Sequence, residues 1–215
     1  MSLALMLCFL LLFSCTFDNE AGKTIASYRT EKIGDQIWMA ENLNYNVSGS
    51  RCYDDIEANC KKYGRLYDWA TAMALPSSCN SSSCVSKISV KHKGICPSGW
   101  HIPSDAEWKA LMDFAGGSSI AGRHLKAING WRNCGKGSSY LYQCEDKYGF
   151  SAMPGGIGYS GGKFHFIGDY GYWWSSSQYR DEDAYYRDLY YLSDVADWYN
   201  YGAKNRLHSV RCLRD

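Results

Sequence analysis

Cysteine is the residue type with most chemistry in this chain, and there are ten. Two of them, Cys8 and Cys15, fall in an apolar N-terminal segment. The other eight are Cys52, Cys60, Cys79, Cys84, Cys96, Cys134, Cys144 and Cys212. An even set in an exported chain makes a disulfide framework the default. Eight cysteines allow 105 pairings, but spacing narrows them. Cys52/Cys60, Cys79/Cys84 and Cys134/Cys144 each bracket a short polar or Gly/Ser-rich stretch and can close a local loop. Cys96 and Cys212 remain, and would tie the middle of the chain to its last residues. Zinc is the competing chemistry. No close cysteine pair repeats at finger-like spacing and no histidine stands in register, so no metal is expected.

Aromatic residues are the second chemical resource. The chain holds 18 Tyr and 8 Trp, and 15 aromatic side chains fall between Tyr159 and Tyr201. So many cannot all be core. Rings beside Asp, Asn and Arg suit sugars, whose C–H faces stack while their hydroxyls take hydrogen bonds. They suit a protein partner as well. The expected ligand surface is Tyr172, Trp173, Trp174, Tyr179 and Trp198. On a strand Trp173 faces away from Tyr172 and Trp174, so one face must pack inward and the other is expected to be available. The run 184–191 alternates likewise, with Tyr186, Asp188 and Tyr190 on one face and Tyr185, Arg187, Leu189 and Tyr191 on the other.

Catalysis has less to work with. His92, His101, His124, His165 and His208 are scattered, and no P-loop, Gly-x-Ser-x-Gly or His-Glu-x-x-His motif occurs. Asp105 and Glu107 stand at a helix start, where carboxylates complement the helix dipole. His101 is expected to be satisfied at that helix entry. No catalytic residues and no cofactor are expected. The net charge of +1 argues against nucleic acid as a partner.

These residues sit on a chain of 215 residues, long enough for one domain with an appendage. Leu3 to Phe13 is an apolar run too short to span a bilayer, which fits a secretory signal. The tetrad Leu12-Phe13-Ser14-Cys15 resembles a bacterial lipobox, in which the cysteine is lipidated. The usual Lys or Arg at the very start is absent. The expected division is signal 1–14, lipid-anchored tether 15–29 and folded domain 30–215, with the lipid as the only membrane contact. Cleavage of an ordinary signal, leaving a secreted protein, is the alternative.

Within the domain, Ile33 to Asn44 opens with an alternating strand, Ile37 and Met39 on one face and Trp38 on the other. Leu66, Ala70 and Met73 predict a helix over 63–74. Ser104 predicts an N-cap and Glu107 a capping box, followed by the apolar stripe Trp108, Leu111, Met112 and Ala115. Gly116-Gly117 closes that helix, and a helical turn follows over 121–128. Strands are expected within 150–153, 162–167, 171–176, 184–192 and 207–213. Helices followed by a run of antiparallel strands read as α+β.

The blocks IGDQIWMAENLNY, YGRLYDWATAM, CPSGWHIPSDAEW, FSAMPGGIGYSGGKF, GYWWSSSQY and HSVRCLRD, in this order, resemble the Fibrobacter succinogenes major paralogous (FISUMP) domain family. The resemblance runs from about residue 30 to residue 215. It implies a C-type-lectin-like fold, distantly related to formylglycine-generating enzymes, with two main helices flanking a small twisted antiparallel sheet. It implies pairing of the N- and C-terminal strands, a Cys96–Cys212 bridge and export to the bacterial outer membrane or cell surface. It brings no settled activity. The cysteine pair and copper of formylglycine-generating enzymes have no match here. The lectin calcium triplets are absent too, and Asp181-Glu182-Asp183 reads as a solvated turn. The expected function is therefore a surface-exposed binding module for polysaccharide or a surface protein, working without metal. A structural envelope lipoprotein with no discrete ligand is the alternative. Replacing Cys15 by Ser is expected to release the protein from membranes, read by fractionation; an unmodified N-terminus at another residue in mass spectrometry would make the protein merely secreted.

Overall fold

The computed structural model describes residues 28–134, 143–197 and 201–215. The apolar leader, Cys15 and Trp198 lie outside them. The chain enters through an antiparallel hairpin of β1 (Thr30–Ile33) and β2 (Gln36–Met39). The third strand, β3, is Trp100–His101. Between β2 and β3 inserts the last element of the chain, β10 (Leu213–Arg214). Leu213 pairs with Trp38 on one side and with His101 on the other. The N-terminal hairpin and the last strand of the domain are thus neighbours, through β2.

The other strands are β4 (Ile157–Gly158), β5 (Phe164–His165), β6 (Tyr170–Arg180), β7 (Asp183–Tyr190), β8 (Ala196–Asp197) and β9 (Tyr201–Ala203). The long hairpin β6–β7 dominates, and β8 and β9 both pair with β7. Among the described residues the α-helices are α1 (Glu57–Tyr63), α2 (Trp69–Ala72), α3 (Asp105–Phe114) and α4 (Ser118–Leu125), with three short 3-10 turns besides. The class is α+β, with small antiparallel sheets and few helices.

Two large apolar cores occupy the interior, beside a small cluster of Tyr53, Leu66 and Leu207. One gathers Met39, Tyr67, Trp69, Ile102, Trp174, Val210 and Cys212. The other gathers Trp38, Trp108, Leu111, Phe150, Trp173, Leu189 and Leu213. Successive strand residues point to opposite faces. Trp38/Met39, Trp173/Trp174 and Cys212/Leu213 each send one member into each core. Every such large apolar side chain contributes about 1.5–3 kcal/mol by leaving water.

Helix α3 starts as its sequence demands. The Ser104 hydroxyl accepts from the Glu107 N–H at 3.3 Å, and the Glu107 carboxylate accepts from the Ser104 N–H at 2.8 Å. Its stripe of Trp108, Leu111, Met112 and Ala115 is buried. The region 63–74 departs from expectation. Gly64, at φ +79°, follows α1, and a Cβ there would meet the Leu43 carbonyl at 2.9 Å. The chain then runs extended: Leu66 bridges to Arg51 and Tyr67 to His208. The Asp68 carboxylate accepts from the Thr71 N–H at 2.8 Å and starts only the short α2. Leu66, Ala70 and Met73 are buried, but as strand-like and helical residues of two different elements. A burial signal at helical spacing therefore arose without one helix. The expected strands 150–153 and 207–213 are mostly isolated bridges, at Ala152, Leu207, His208 and Ser209.

Four disulfides staple the domain: Cys52–Cys60, Cys79–Cys84, Cys96–Cys212 and Cys134–Cys144. Three close loops of 5 to 10 residues, and one spans 116. In the chain-entropy description the long closure is worth about 4–5 kcal/mol and a short one roughly 2–3. Replacing both Cys96 and Cys212 by Ser should lower stability by that larger amount in urea unfolding, well beyond the Cys52/Cys60 double variant. Equal losses would contradict this ranking.

Candidate functional site

The register of β6 on β7 builds one continuous aromatic face, buried at its Trp174 end and half-exposed towards Tyr170 and Tyr190. Tyr170 lies opposite Tyr190, Tyr172 opposite Asp188 and Trp174 opposite Tyr186. Cross-strand neighbours of this kind are in direct contact range. Here they form a ring stack. Trp174 lies on His208 at 4.0 Å between centroids, His208 near Tyr172 at 5.3 Å, Tyr172 near Tyr170 at 5.5 Å and Tyr170 on Tyr190 at 4.4 Å, all close to parallel. Tyr186 meets the stack edge-on, 4.8 Å from His208. Tyr170, Tyr172, Tyr186, Asp188 and Tyr190 are all half-buried, so their outer edges reach solvent.

His208 lies beneath this face, fully buried, and neither ring nitrogen has a hydrogen-bond partner. Burial, with Arg206 nearby, pushes its pKa well below the usual histidine range. It is a neutral plate in the stack. The Tyr172 phenol is pushed well up, by burial first and by Asp188 second, so it remains protonated.

The five expected ligand residues therefore part company. Tyr172 is on the outer face. Tyr179 is exposed at the end of the β6–β7 hairpin, stacked on Tyr201 at 3.9 Å with Arg180 over both rings. Trp173 and Trp174 are both buried, which corrects the expectation of one open face. The reason is the two cores, one on each side of β6 at this point. The Trp173 indole N–H donates to Asn42 Oδ1 and that of Trp174 to the Tyr67 carbonyl, each at 2.8 Å. Tyr170 and His208 were not singled out by the sequence. The alternation of β7 did place Tyr186, Asp188 and Tyr190 on one side, and that was the usable signal.

The acidic turn Asp181-Glu182-Asp183 faces cations. Asp183 pairs with Arg180 at 2.8 Å. The Lys204 ammonium donates to the carbonyls of Asp181, Cys79 and Ser82 and to Gln178 Oε1, at 2.8 to 3.3 Å, over the Trp69 ring. Among the described residues only Cys52, Glu57 and Cys60 gather three possible metal-ligating side chains. Both sulfurs are joined in a disulfide, and a metal would need thiolates. No helix among the described residues is long and apolar enough to cross a membrane.

A disulfide-stapled α+β domain with a tyrosine-lined hairpin face is the class these features define. Residues 32–214 match the family described as the Fibrobacter succinogenes major domain, and the chain belongs to that family. No curated protein and no solved structure matches it.

His101 is the one histidine held between carboxylates. Its Nδ1 is 2.7 Å from Asp215 Oδ1 and its Nε2 3.0 Å from Glu107 Oε1. The ring is buried, and Glu107 is already committed to the α3 cap, so the group ties β3, α3 and residue 215 together. Burial opposes charge on His101, yet the bonds to Glu107 and Asp215 outweigh it and raise the pKa above 6.5. Burial likewise opposes charge on Glu107, and the bonds from His101 and Ser104 outweigh it, bringing the pKa down to about 2. The His101 contribution to stability is full below pH 6.5 and is lost as pH rises through its folded value. The Glu107 contribution is full above pH 4.5 and is lost as pH falls towards about 2. The stability gap between wild type and His101→Gln should therefore be widest between these bounds and shrink on the alkaline side. Urea midpoints across pH read it; a gap growing steadily with pH would reverse the assignment.

Proposed function

We propose that this protein is an exported, lipid-anchored binding module of the bacterial surface. It engages a macromolecule, glycan or protein, through the outer face of β6–β7. The observation that carries this reading is the half-exposed row Tyr170, Tyr172, Tyr186 and Tyr190 around Asp188. Tyrosine supplies large, amphipathic contact area with little conformational entropy to lose, and here neighbouring rings fix one another. Ring-on-ring stacking uses up ring faces and leaves edges and hydroxyls outward. That favours a protein partner, which meets a surface through edges and hydrogen bonds, over a sugar that needs an open ring face. A C-type-lectin-like arrangement fits the neighbouring β2 and β10 and the Cys96–Cys212 closure. Cys15 supplies the anchor in this reading, and the absence of a calcium triplet makes binding independent of chelators.

Tyr170→Ala, Tyr190→Ala and Tyr179→Ala test it without uncovering His208. Adhesion of the domain to whole cells and to insoluble polysaccharide is measured with each variant. A contact tyrosine removed from the centre of an interface costs about 2 kcal/mol or more, a loss of more than tenfold in affinity. Loss of adhesion when the cells are first treated with protease assigns a protein partner; survival with retained polysaccharide binding assigns a glycan. Unchanged adhesion in every folded variant would leave a structural envelope protein with no discrete ligand at this face.

A further inference from the structure

Three pairs of tyrosine rings stack among the described residues. Tyr170 lies on Tyr190 at 4.4 Å and beside Tyr172 at 5.5 Å, and these three rings are half-buried. The third pair is different. Tyr179 and Tyr201 stack at 3.9 Å between centroids, with 22° between their planes, and both are exposed, at 43% and 42%. Their hydroxyl groups hydrogen-bond one another, and that bond is the largest cause raising the Tyr179 pKa above the ordinary tyrosine range.

The two residues come from different strands. Tyr179 lies near the end of β6, Tyr201 opens β9, and β7 runs between them. Tyr185 of β7 stands opposite Tyr201 and meets the Tyr179 ring edge-on at 5.3 Å. The Arg180 guanidinium, held by Asp183 at 2.8 Å, lies over both rings. The pair is thus held in one arrangement while remaining open to solvent. None of the four disulfides reaches β6, β7 or β9. With the hydroxyls bonded and the centroids 3.9 Å apart, the ring carbons ortho to the two hydroxyls face each other close to van der Waals contact. Proximity fixed in advance replaces a bimolecular encounter by an intramolecular step.

We propose that Tyr179 and Tyr201 form a modification site, where a one-electron oxidant of the peroxidase type, driven by hydrogen peroxide, couples them into a dityrosine. Each phenol gives up one electron and its hydroxyl proton, and the unpaired electron is shared between the oxygen and the ortho carbons. A carbon–carbon bond forms between one ortho carbon of each ring. The hydrogens on those two carbons then move to the two oxygens and restore the phenols. In sum two ring C–H bonds break and one C–C bond forms. The two electrons and two protons released convert one molecule of hydrogen peroxide into two of water. The product ties β6 to β9 across β7, where no disulfide does so. It needs no ligand at the tyrosine face.

The folded domain, treated with hydrogen peroxide and a haem peroxidase, is digested and mapped by mass spectrometry, with dityrosine fluorescence followed in parallel. A peptide joining residues 179 and 201, lighter by two hydrogens than its two parts, should be the main cross-linked product. It should exceed any product joining Tyr170 to Tyr190 or to Tyr172 by about tenfold or more, because only the exposed pair meets the oxidant and is already in place. The fraction coupled in a given time should not change with protein concentration. Tyr179→Phe and Tyr201→Phe keep the ring and lose the hydroxyl. Each should abolish that peptide and cut the fluorescence about tenfold. The same treatment in urea should lose the preference for this pair. Absence of the 179–201 peptide, coupling mainly between molecules, an equal yield from Tyr170 and Tyr190, or undiminished fluorescence in both Phe variants would overturn the proposal.

Discussion

Four hydrogen bonds converge on the side-chain amide of Asn42, and the domain is organised around them. Its Nδ2 donates to the Tyr63 carbonyl at 2.8 Å and to Ser209 Oγ at 3.3 Å. Its Oδ1 accepts from the Trp173 indole and from Arg211, each at 2.8 Å. An asparagine amide can make four such bonds, and this one makes all four in the interior. They join the segment after β2, the end of α1, the long strand β6 and the run towards β10. Truncation at residue 42 would strand the Trp173 indole N–H and take one of three acceptors from the buried Arg211 guanidinium, and an unpaired buried donor is more costly than a hydrogen bond is favourable.

The remaining architecture follows from placing that amide between two cores. Because β6 has apolar neighbours on both sides at Trp173 and Trp174, the hairpin cannot offer its tryptophans to a ligand. What it offers instead are the tyrosines further along and across the register, on the side where the core thins out. Buried cations are handled in the same spirit. Lys204 is enclosed by neutral oxygens and an indole, and the ammonium of Lys126, fully buried, bonds to the Ser193 carbonyl. Burial lowers both lysine pKa values, that of Lys126 to about 8. Such groups hold loops in place through dipoles rather than through ion pairs.

Local sequence logic was legible wherever one interaction decides the outcome. Ser104 and Glu107 announced the start of α3 because a capping box needs only those two side chains. The cysteine spacings announced three of the bridges because short loops close on themselves, and Cys96–Cys212 followed as the remaining pair. The α+β order was legible from the shift in composition after Cys144. The residues 63–74 misled because i, i+4, i+7 spacing records burial, and tertiary pairing at Leu66 and Tyr67 produces the same burial in extended backbone. Trp173 and Trp174 misled because alternation tells which residues share a face, never whether both faces are covered. A cleft lined by Tyr28, Asn42, Tyr63, Asn129 and Ser151 carries no sequence signal at all: its residues come from five separated segments, and none is unusual alone.

The position of β10 has a consequence for the order of events. Strand β2 is among the first parts of the domain to be made; it can pair at once with β1, but its other edge finds its partner only when residue 213 arrives. The same is true of the Cys96 thiol and of His101, whose second carboxylate is Asp215. Contacts of such high sequence separation form late and slowly. A chain threaded through a membrane N-terminus first would therefore stay open, with two half-built cores, until its last strand emerged, and would then close in a single late step. Unfinished sheet edges in that interval are exposed to pairing with other chains, so the hazard for this fold lies in its assembly more than in its finished state.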